Sequence, residues 1–525
     1  MSNRSCDAGQ TIAYQLYSLV LLLSGFIIPI GISLLRFIPF PAHLSTRFNA
    51  YFIDPPVFGS RHSVPAFFGL GLVPTRGQAL FIAYLLILNI VLGAVGHRST
   101  RPNAWFSDAS SGEILTYATN RMGVLSFANV PLLILYAGRN NILLWVTNWS
   151  HSTFLLLHRW VAYICTLEAV LHSAIYLQIY VKDGEHASES KLTYWIWGAI
   201  ATLSMSILVP TSILPLRQKM YELFLVWHII LSILAVAGCY LHILYRFQHQ
   251  WGYEVWIITA FAVWGFERLM RLGRLARNGV KTATVTLIDD DYIRVNIEGV
   301  SGNGHAYLYF PTLTWRVWEN HPFSVASTIL PTPTQQNRHH DIEKNGAMTR
   351  FSDSHSSDID SQVSGVQPSP KVGLTFLLRT RGGLTSQIRS KLSLPVLVES
   401  PYGPHPDLSS HPTLICIAGG VGITAVIPFL RSHPGRTKLF WGVRSSGIVE
   451  DMQSYLKGVD KEVFVGDRMA VSEVLGREFG DGVDNAVVVV SGPPGLADAV
   501  RLEVTKLGRR KGRGSIRLLE ESFSW

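Results

Sequence analysis

Four histidines set inside two apolar stretches constrain this chain of 525 residues more than any other feature. His158 and His172 lie in one stretch, His228 and His242 in the other, and both pairs are 14 residues apart. Fourteen residues of α-helix rise about 21 Å and return to within about 40° of the starting face. Each helix therefore shows two imidazoles to one side, one near each membrane surface. A polar side chain inside a bilayer is costly and needs a partner. A lone histidine finds one in a neighbouring helix, whereas two matched pairs on adjacent helices offer two stacked bis-histidine sites. Neutral imidazole suits iron. Two strong axial ligands leave no open position on a heme, which favours electron transfer over oxygen binding. The pattern predicts two hemes, one between His158 and His228 and one between His172 and His242.

Apolar residues make up 48% of the chain and charged residues 15%, outside the usual range for a soluble enzyme of this size. The excess lies in the first half, where spans are expected near 11–35, 78–96, 114–137, 153–180, 193–214, 219–245 and 251–270, each able to cross roughly 30 Å of hydrocarbon. Asn120, Arg121 and Asn129 interrupt the third. The first run has no basic start followed by a small-residue cleavage site and reads as an uncleaved anchor. Seven spans place the N-terminus outside and the second half in the cytosol. Arg36, Arg47, Arg61, Arg76, Arg139, Arg217, Lys219, Arg268, Arg271, Arg274 and Arg277 then fall on the cytosolic side, as the positive-inside rule requires. The net charge of +9 is a topology signal, so membrane lipid is an expected partner and nucleic acid is not. Cys6, Cys165, Cys239 and Cys416 show no metal or disulfide spacing.

From Lys281 the pattern turns to short alternating runs such as Thr282 to Leu287 and Tyr292 to Ile297, which is strand chemistry. A small antiparallel barrel is expected to about residue 408, interrupted by a polar insertion over 331–370 that buries too little surface to order itself. After 411 the order becomes strand, glycine-rich turn and helix, with Gly419-Gly420-Val421-Gly422-Ile423-Thr424 as the first turn. Alternating strands and helices give a parallel sheet that binds ligands at its carboxyl ends. Glycines there bring backbone N–H groups to a pyrophosphate at a helix N-terminus. The expected fold is thus a multi-domain membrane protein. An α-helical heme-binding bundle is followed by a ferredoxin reductase-like module, an antiparallel β-barrel and an α/β nucleotide-binding domain. The expected divisions are 1–113 (N-terminal helices and loops), 114–272 (heme-binding bundle), 273–408 (barrel) and 409–525 (α/β domain).

At His321-Pro322-Phe323-Ser324-Val325 the chain resembles the fungal ferric reductase transmembrane family, within the wider group of ferric reductases and NADPH oxidases. Arg139-Asn140-Asn141, His158-Arg159-Trp160 and Tyr221-Glu222 up to His228 resemble that family's approaches to its two heme helices. The resemblance implies that His321 to Val325 is the FAD-binding strand, with the Ser324 hydroxyl on the isoalloxazine ring, and that Arg379, Gly383, Leu384 and Thr385 hold the FAD pyrophosphate. It implies that Gly419 to Thr424 cradle the phosphates of NADPH, that Arg444 and Ser445 meet the 2′-phosphate, and that Ser491, Gly492 and Pro493 flank the nicotinamide ribose. Trp525 matches the family's aromatic terminus, which covers the flavin. Ser400 stands where the family has a glycine, a place where glycine often marks a backbone conformation that strains other residues.

The implied route runs from cytosolic NADPH to FAD, then to an inner b-type heme on His158 and His228, then to an outer one on His172 and His242, and finally to a ferric or cupric chelate outside. A separate iron or copper transporter is an implied partner, and the plasma membrane the expected location, with the vacuolar membrane as the other choice. The alternative within oxidoreductases is an NADPH oxidase making superoxide, which typically has six spans and an offset of 13 residues in its second heme helix. A hemeless transporter or scaffold is the reading from another class, and it predicts no heme absorbance.

Overall fold

The computed structural model describes residues 2–65, 69–97, 99, 111–330, 371–380, 382–403, 406–480, 485–510 and 514–521. The insertion at 331–370 and Trp525 lie outside them. The chain forms two compact units, Met1–Leu272 with Ala470–Trp525, and Gly273–Met469.

The first unit holds α1 (Ser2–Leu34), α2 (Ala42–Phe48), α3 (Arg76–Ala94), α4 (Ser111–Ala137), α5 (Ile142–Val146), α6 (His151–Lys182), α7 (His186–Glu189), α8 (Thr193–Thr211), α9 (Leu214–Lys219) and α10 (Tyr221–Phe247). The chain leaves this unit within α11 (Glu254–Asn278). Among the described residues, five helical stretches are long and apolar enough to cross a membrane: Thr11–Phe37, Arg76–Ala94, His151–Lys182, Thr193–Thr211 and Tyr221–Phe247. The third and seventh expected spans are also long helices, α4 and α11, but more polar ones. Glu113, Arg121 and Asn129 dilute α4, and Arg268, Arg271, Arg274 and Arg277 charge the second half of α11.

Local signals start these helices. Thr75 and Gln78 form a reciprocal capping box on α3, and the Ser150 hydroxyl accepts the Thr153 N–H at the head of α6. Helix α4 packs along α6, and α8 along α10. At Gly238 of α10 a Cβ would come within 3.0 Å of the Ala201 Cβ and of the Trp197 carbonyl oxygen, so the absence of a side chain sets how closely α10 approaches α8. Polar groups inside the bundle satisfy one another: the Asn129 amide of α4 donates to Asn89 of α3 (2.8 Å) and to Glu168 of α6 (3.0 Å).

The same unit contains α15 (Val471–Gly480), β11 (Ala486–Ser491), α16 (Pro494–Arg509) and β12 (Ile516–Glu520), with β11 and β12 parallel. The loop between α2 and α3 docks on these elements. Backbone N–H groups of His62, Ser63 and Val64 all donate to the Asp498 carboxylate, at 2.9, 2.8 and 3.0 Å. Burial raises the Asp54 carboxyl to about 6 against the opposing pull of Arg501, and raises that of Glu521 to about 7.

The second unit begins with a curled seven-stranded sheet of β1 (Val280–Leu287), β2 (Tyr292–Glu298), β3 (His305–Tyr309), β4 (Asn320–Ser324), β5 (Ser327–Ile329), β6 (Val372–Arg379) and β7 (Ser393–Tyr402), in the order β4-β3-β7-β1-β2-β6-β5. All its pairings are antiparallel. Alternation buries Ile293, Val295, Ile297, Leu374, Phe376, Leu378, Val396 and Val398 in one core. Helix α12 (Leu384–Arg389) follows β6. Then come β8 (Thr413–Gly419), α13 (Ile423–Ser432), β9 (Arg436–Val443), α14 (Gly447–Met452) and β10 (Asp460–Val465), whose strands pair in parallel in the order β8, β9, β10.

Candidate functional site

Helices α6 and α10 each carry two histidines on one face, and the fold brings them together in register. The ring centroids of His158 and His228 are 6.4 Å apart, and those of His172 and His242 are also 6.4 Å apart. An iron gripped from both sides needs two metal–nitrogen bonds of about 2 Å and two half-rings of roughly 1.1 Å, about 6 Å in all. The spacing fits a bis-imidazole iron at both levels.

The other ring nitrogens are already engaged. Nδ1 of His158 pairs with the Leu133 carbonyl, Nδ1 of His172 with the Thr119 carbonyl and Nδ1 of His242 with the Tyr194 carbonyl, each at 2.9 Å. Only an N–H can pair with a carbonyl, so these rings carry their proton on Nδ1 and leave the Nε2 lone pair for a metal. His228 is held differently: its Nδ1 is 3.3 Å from the Ser212 hydroxyl. Two glycines make room for the outer rings. A Cβ on Gly123 would sit 2.8 Å from His172 Nδ1, and one on Gly198 would sit 2.6 Å from His242 Nδ1. Each glycine lies four residues past the carbonyl its histidine uses, Thr119 and Tyr194, so one helical turn supplies both acceptor and clearance.

A buried cation lies on α4, turned toward α1 and α3. Arg121 is 1% exposed, lies over the rings of Tyr14 and Tyr17, and donates through Nη1 to the carbonyls of Leu92 and Val95. Its Nε and Nη2 are buried without partners, a state that costs free energy until a negative group arrives.

In the second unit, β4 is the sheet edge and carries His321, Pro322, Phe323 and Ser324, with Val325 buried next. An edge is where a strand tolerates proline. His321 Nε2 lies 3.1 Å from a Glu319 oxygen, and the other Glu319 oxygen takes a bidentate contact from Arg316. Burial works against that carboxylate, but Arg316 and His321 outweigh it and hold its pKa below the ordinary value. Arg379 ends β6 with its Nε buried and unpartnered, and Gly383, with φ of +84°, turns the chain into α12 at Leu384 and Thr385. Ser400 sits inside β7 and is not among the residues with positive φ, so it does not occupy the left-handed region that favours glycine.

The glycine-rich turn closes β8 and opens α13. Gly420 has a φ of +55° and its carbonyl accepts the Trp441 indole N–H at 3.0 Å, while Gly422 offers α13 no side-chain cap. Arg444 follows β9 and is exposed; Ser445 donates to Asp289 at 2.6 Å. Burial raises the Tyr292 phenol, and Arg379 and Arg444 both draw it down, so one tyrosine sits in the field of both arginines. In the first unit, Ser491 ends β11 with its hydroxyl given to the Glu521 carbonyl at 2.7 Å; Gly492 and Pro493 lead into α16.

Residues 122–239 match the model of the ferric reductase like transmembrane component, and residues 277–406 match that of an FAD-binding domain. A probable ferric reductase transmembrane component of Candida albicans is 27% identical over 79% of this chain and 59% of its own length. Ferric reductase transmembrane component 3 of Saccharomyces cerevisiae is 26% identical over 93% of this chain and 72% of its own. Over most of its length the chain is similar to ferric reductase transmembrane components. It spans between about half and three-quarters of the relatives' length, for instance 52% of a ferric/cupric reductase transmembrane component 1 from Candida albicans. A solved ferredoxin reductase of carbazole 1,9a-dioxygenase is alike over 46% of this chain and 69% of its own, with 15% identity and a TM-score of 0.31, a likeness too slight to carry an argument.

As a ferric reductase-like protein the chain is a multi-pass membrane protein with an FAD-binding domain. The four histidines fall on α6 and α10, the flavin-strand residues on the edge strand β4 and the glycine-turn residues at the end of β8. The carbonyls of Thr119, Leu133 and Tyr194, the glycines at 123 and 198, Arg121 and Tyr292 were not readable as site residues from the chain alone. The one available signal was glycine inside an apolar helix, which in such a helix commonly marks close approach.

Proposed function

We propose that this protein is a transmembrane metalloreductase that takes electrons from cytosolic NADPH and delivers them to a ferric or cupric chelate on the far side of the membrane. The observation that carries the reading is the pair of equal 6.4 Å histidine separations, one above the other along the same two helices. FAD on the second unit would accept a hydride and release single electrons, and b-type hemes, the inner held by His158 and His228 and the outer by His172 and His242, would carry them across.

The chain's own residues prepare each site. Ser324 and the strand His321–Val325 would hold a flavin ring, and Arg379, Gly383, Leu384 and Thr385 would supply donors for its pyrophosphate. The backbone of Gly419, Gly420, Val421, Gly422, Ile423 and Thr424 opens the N-terminus of α13 to phosphate. The exposed guanidinium of Arg444, beside Ser445, suits a 2′-phosphate and so NADPH over NADH. By the family resemblance, Ser491, Gly492 and Pro493 would flank a nicotinamide ribose and Trp525 would cover a flavin. The plasma membrane is the location that serves uptake of an external metal, with a metal transporter consuming the product.

The test is an optical spectrum of the purified protein before and after anaerobic NADPH. The expected result is a low-spin reduced b-type spectrum with two hemes per chain. A flavoprotein whose spectrum shows no heme, or whose heme is not reduced by NADPH, would overturn the proposal.

A further inference from the structure

Both outer histidines begin a run of aromatic rings, and the two runs meet. From His172 the next rings along α6 are Tyr176, at 5.0 Å between centroids, and Tyr180, at 5.8 Å from Tyr176. The spacing of four residues keeps all three on one helix face. Tyr180 lies 5.3 Å from Trp195, which lies 5.6 Å from His186 at the start of α7. From His242 the next ring is Tyr194, at 5.8 Å, whose hydroxyl is 3.2 Å from that of Tyr180. Tyr194 is fixed by the Glu189 carboxylate and lies under Arg246.

An aromatic belt at the membrane interface is the ordinary reason for tyrosine and tryptophan at this height. Belt rings face lipid. Tyr194 is 7% exposed, and the Tyr176 hydroxyl donates inward to Asn120 at 2.5 Å, so these rings are packed into the bundle. The run ends at two half-buried rings, Trp195 and His186, and Nδ1 of His186 has no partner.

We propose that the face formed by Trp195 and His186 is the docking site of the external acceptor, a small ferric chelate. The assignment rests on the metalloreductase reading above and adds where the acceptor binds. The chelate lies against the two rings, and Tyr176, Tyr180 and Tyr194 fill the space back to the outer histidines with a continuous bridge. One electron arriving on the His172–His242 side converts docked Fe(III) to Fe(II). No bond forms or breaks, no proton moves, and the bridging rings begin and end unoxidised. Two successive dockings balance one NADPH: two Fe(III) and NADPH give two Fe(II), NADP⁺ and a proton.

The experiment uses the full-length, heme-loaded protein in lipid nanodiscs, with ferric citrate as acceptor and gallium(III) citrate as its redox-inert analogue. Trp195→Leu and His186→Ala are each reduced anaerobically with NADPH and then mixed with ferric citrate or with oxygen. The expected result is a reduced heme spectrum like that of the wild type and reoxidation by ferric citrate slowed about tenfold, the scale of one lost aromatic contact. Reoxidation by oxygen is unchanged, and inhibition by gallium citrate weakens by the same factor. Unchanged ferric citrate reoxidation and gallium inhibition in both variants overturn the docking site. So does an equal slowing with oxygen, which marks a ring that only supports the bundle. A wild-type protein with no reducible heme fails the metalloreductase reading instead, a result visible before any acceptor is added.

Discussion

The inner and outer histidine pairs have the same separation and different supports. In the outer pair, both rings are fixed through Nδ1 to backbone carbonyls, with a glycine under each ring. In the inner pair, His158 is fixed to a carbonyl, but His228 has only the Ser212 hydroxyl, at the long distance of 3.3 Å. The ring planes differ as well, 88° apart in the outer pair and 59° in the inner. A carbonyl on a helix cannot rotate, whereas a hydroxyl can serve as donor or acceptor. The outer level is therefore held by the backbone of four helices, and the inner level keeps one side adjustable.

The comparison breaks most visibly if a ligand is removed. His172→Ala or His242→Ala is expected to halve the heme content and to cut chelate reduction by more than about 100-fold, beyond the range of changes to supporting residues. Bleaching of the flavin by NADPH should persist; loss of flavin reduction as well would show that the two halves do not act separately. Next in size are Gly123→Ala and Gly198→Ala. Each adds a methyl group 2.8 or 2.6 Å from an outer ring nitrogen, and a clash of that kind is expected to weaken the outer heme about tenfold, with a shift in its low-spin electron paramagnetic resonance signal only. A matching shift in the inner signal would deny that the levels are independent.

Heme removal sharpens the comparison further. With excess apomyoglobin as acceptor, the inner heme should transfer several-fold faster than the outer, because one of its ligands lacks a rigid second contact; equal rates or the reverse order would count against the difference in support. The smallest effect is expected for Ser212→Ala. It deletes one weak, neutral hydrogen bond, so a change of about twofold in the inner heme's release is the scale. A large loss there would mean that the hydroxyl does more for His228 than its distance suggests.

The ligand geometry was legible because it depends on a single element type: equal 14-residue offsets on two helices predict equal heights, and the facing rings lie 6.4 Å apart at both levels. The supports were not legible. Thr119, Leu133 and Tyr194 act through their carbonyls, which every residue has, and they sit on α4 and α8. Arg121 read as an interruption of a span, whereas it is folded inside against two tyrosines. In the second half, alternation gave the strands and Gly419 to Thr424 gave the turn into α13. The strand order of the curled sheet follows from long-range pairing, such as β1 with β7, that no local pattern encodes. Serine in place of glycine at 400 looked like a source of strain by family pattern, but Ser400 is not among the residues with the positive φ that favours glycine.

The glycines at 123 and 198 have one further implication, for assembly. The imidazoles they admit are oriented by the polypeptide alone, through contacts already complete in the folded bundle. A porphyrin sliding into such a slot meets ligands that are pre-aimed, so insertion demands little rearrangement and can follow folding. Membrane integration and cofactor delivery can then occur as separate events in the life of the protein.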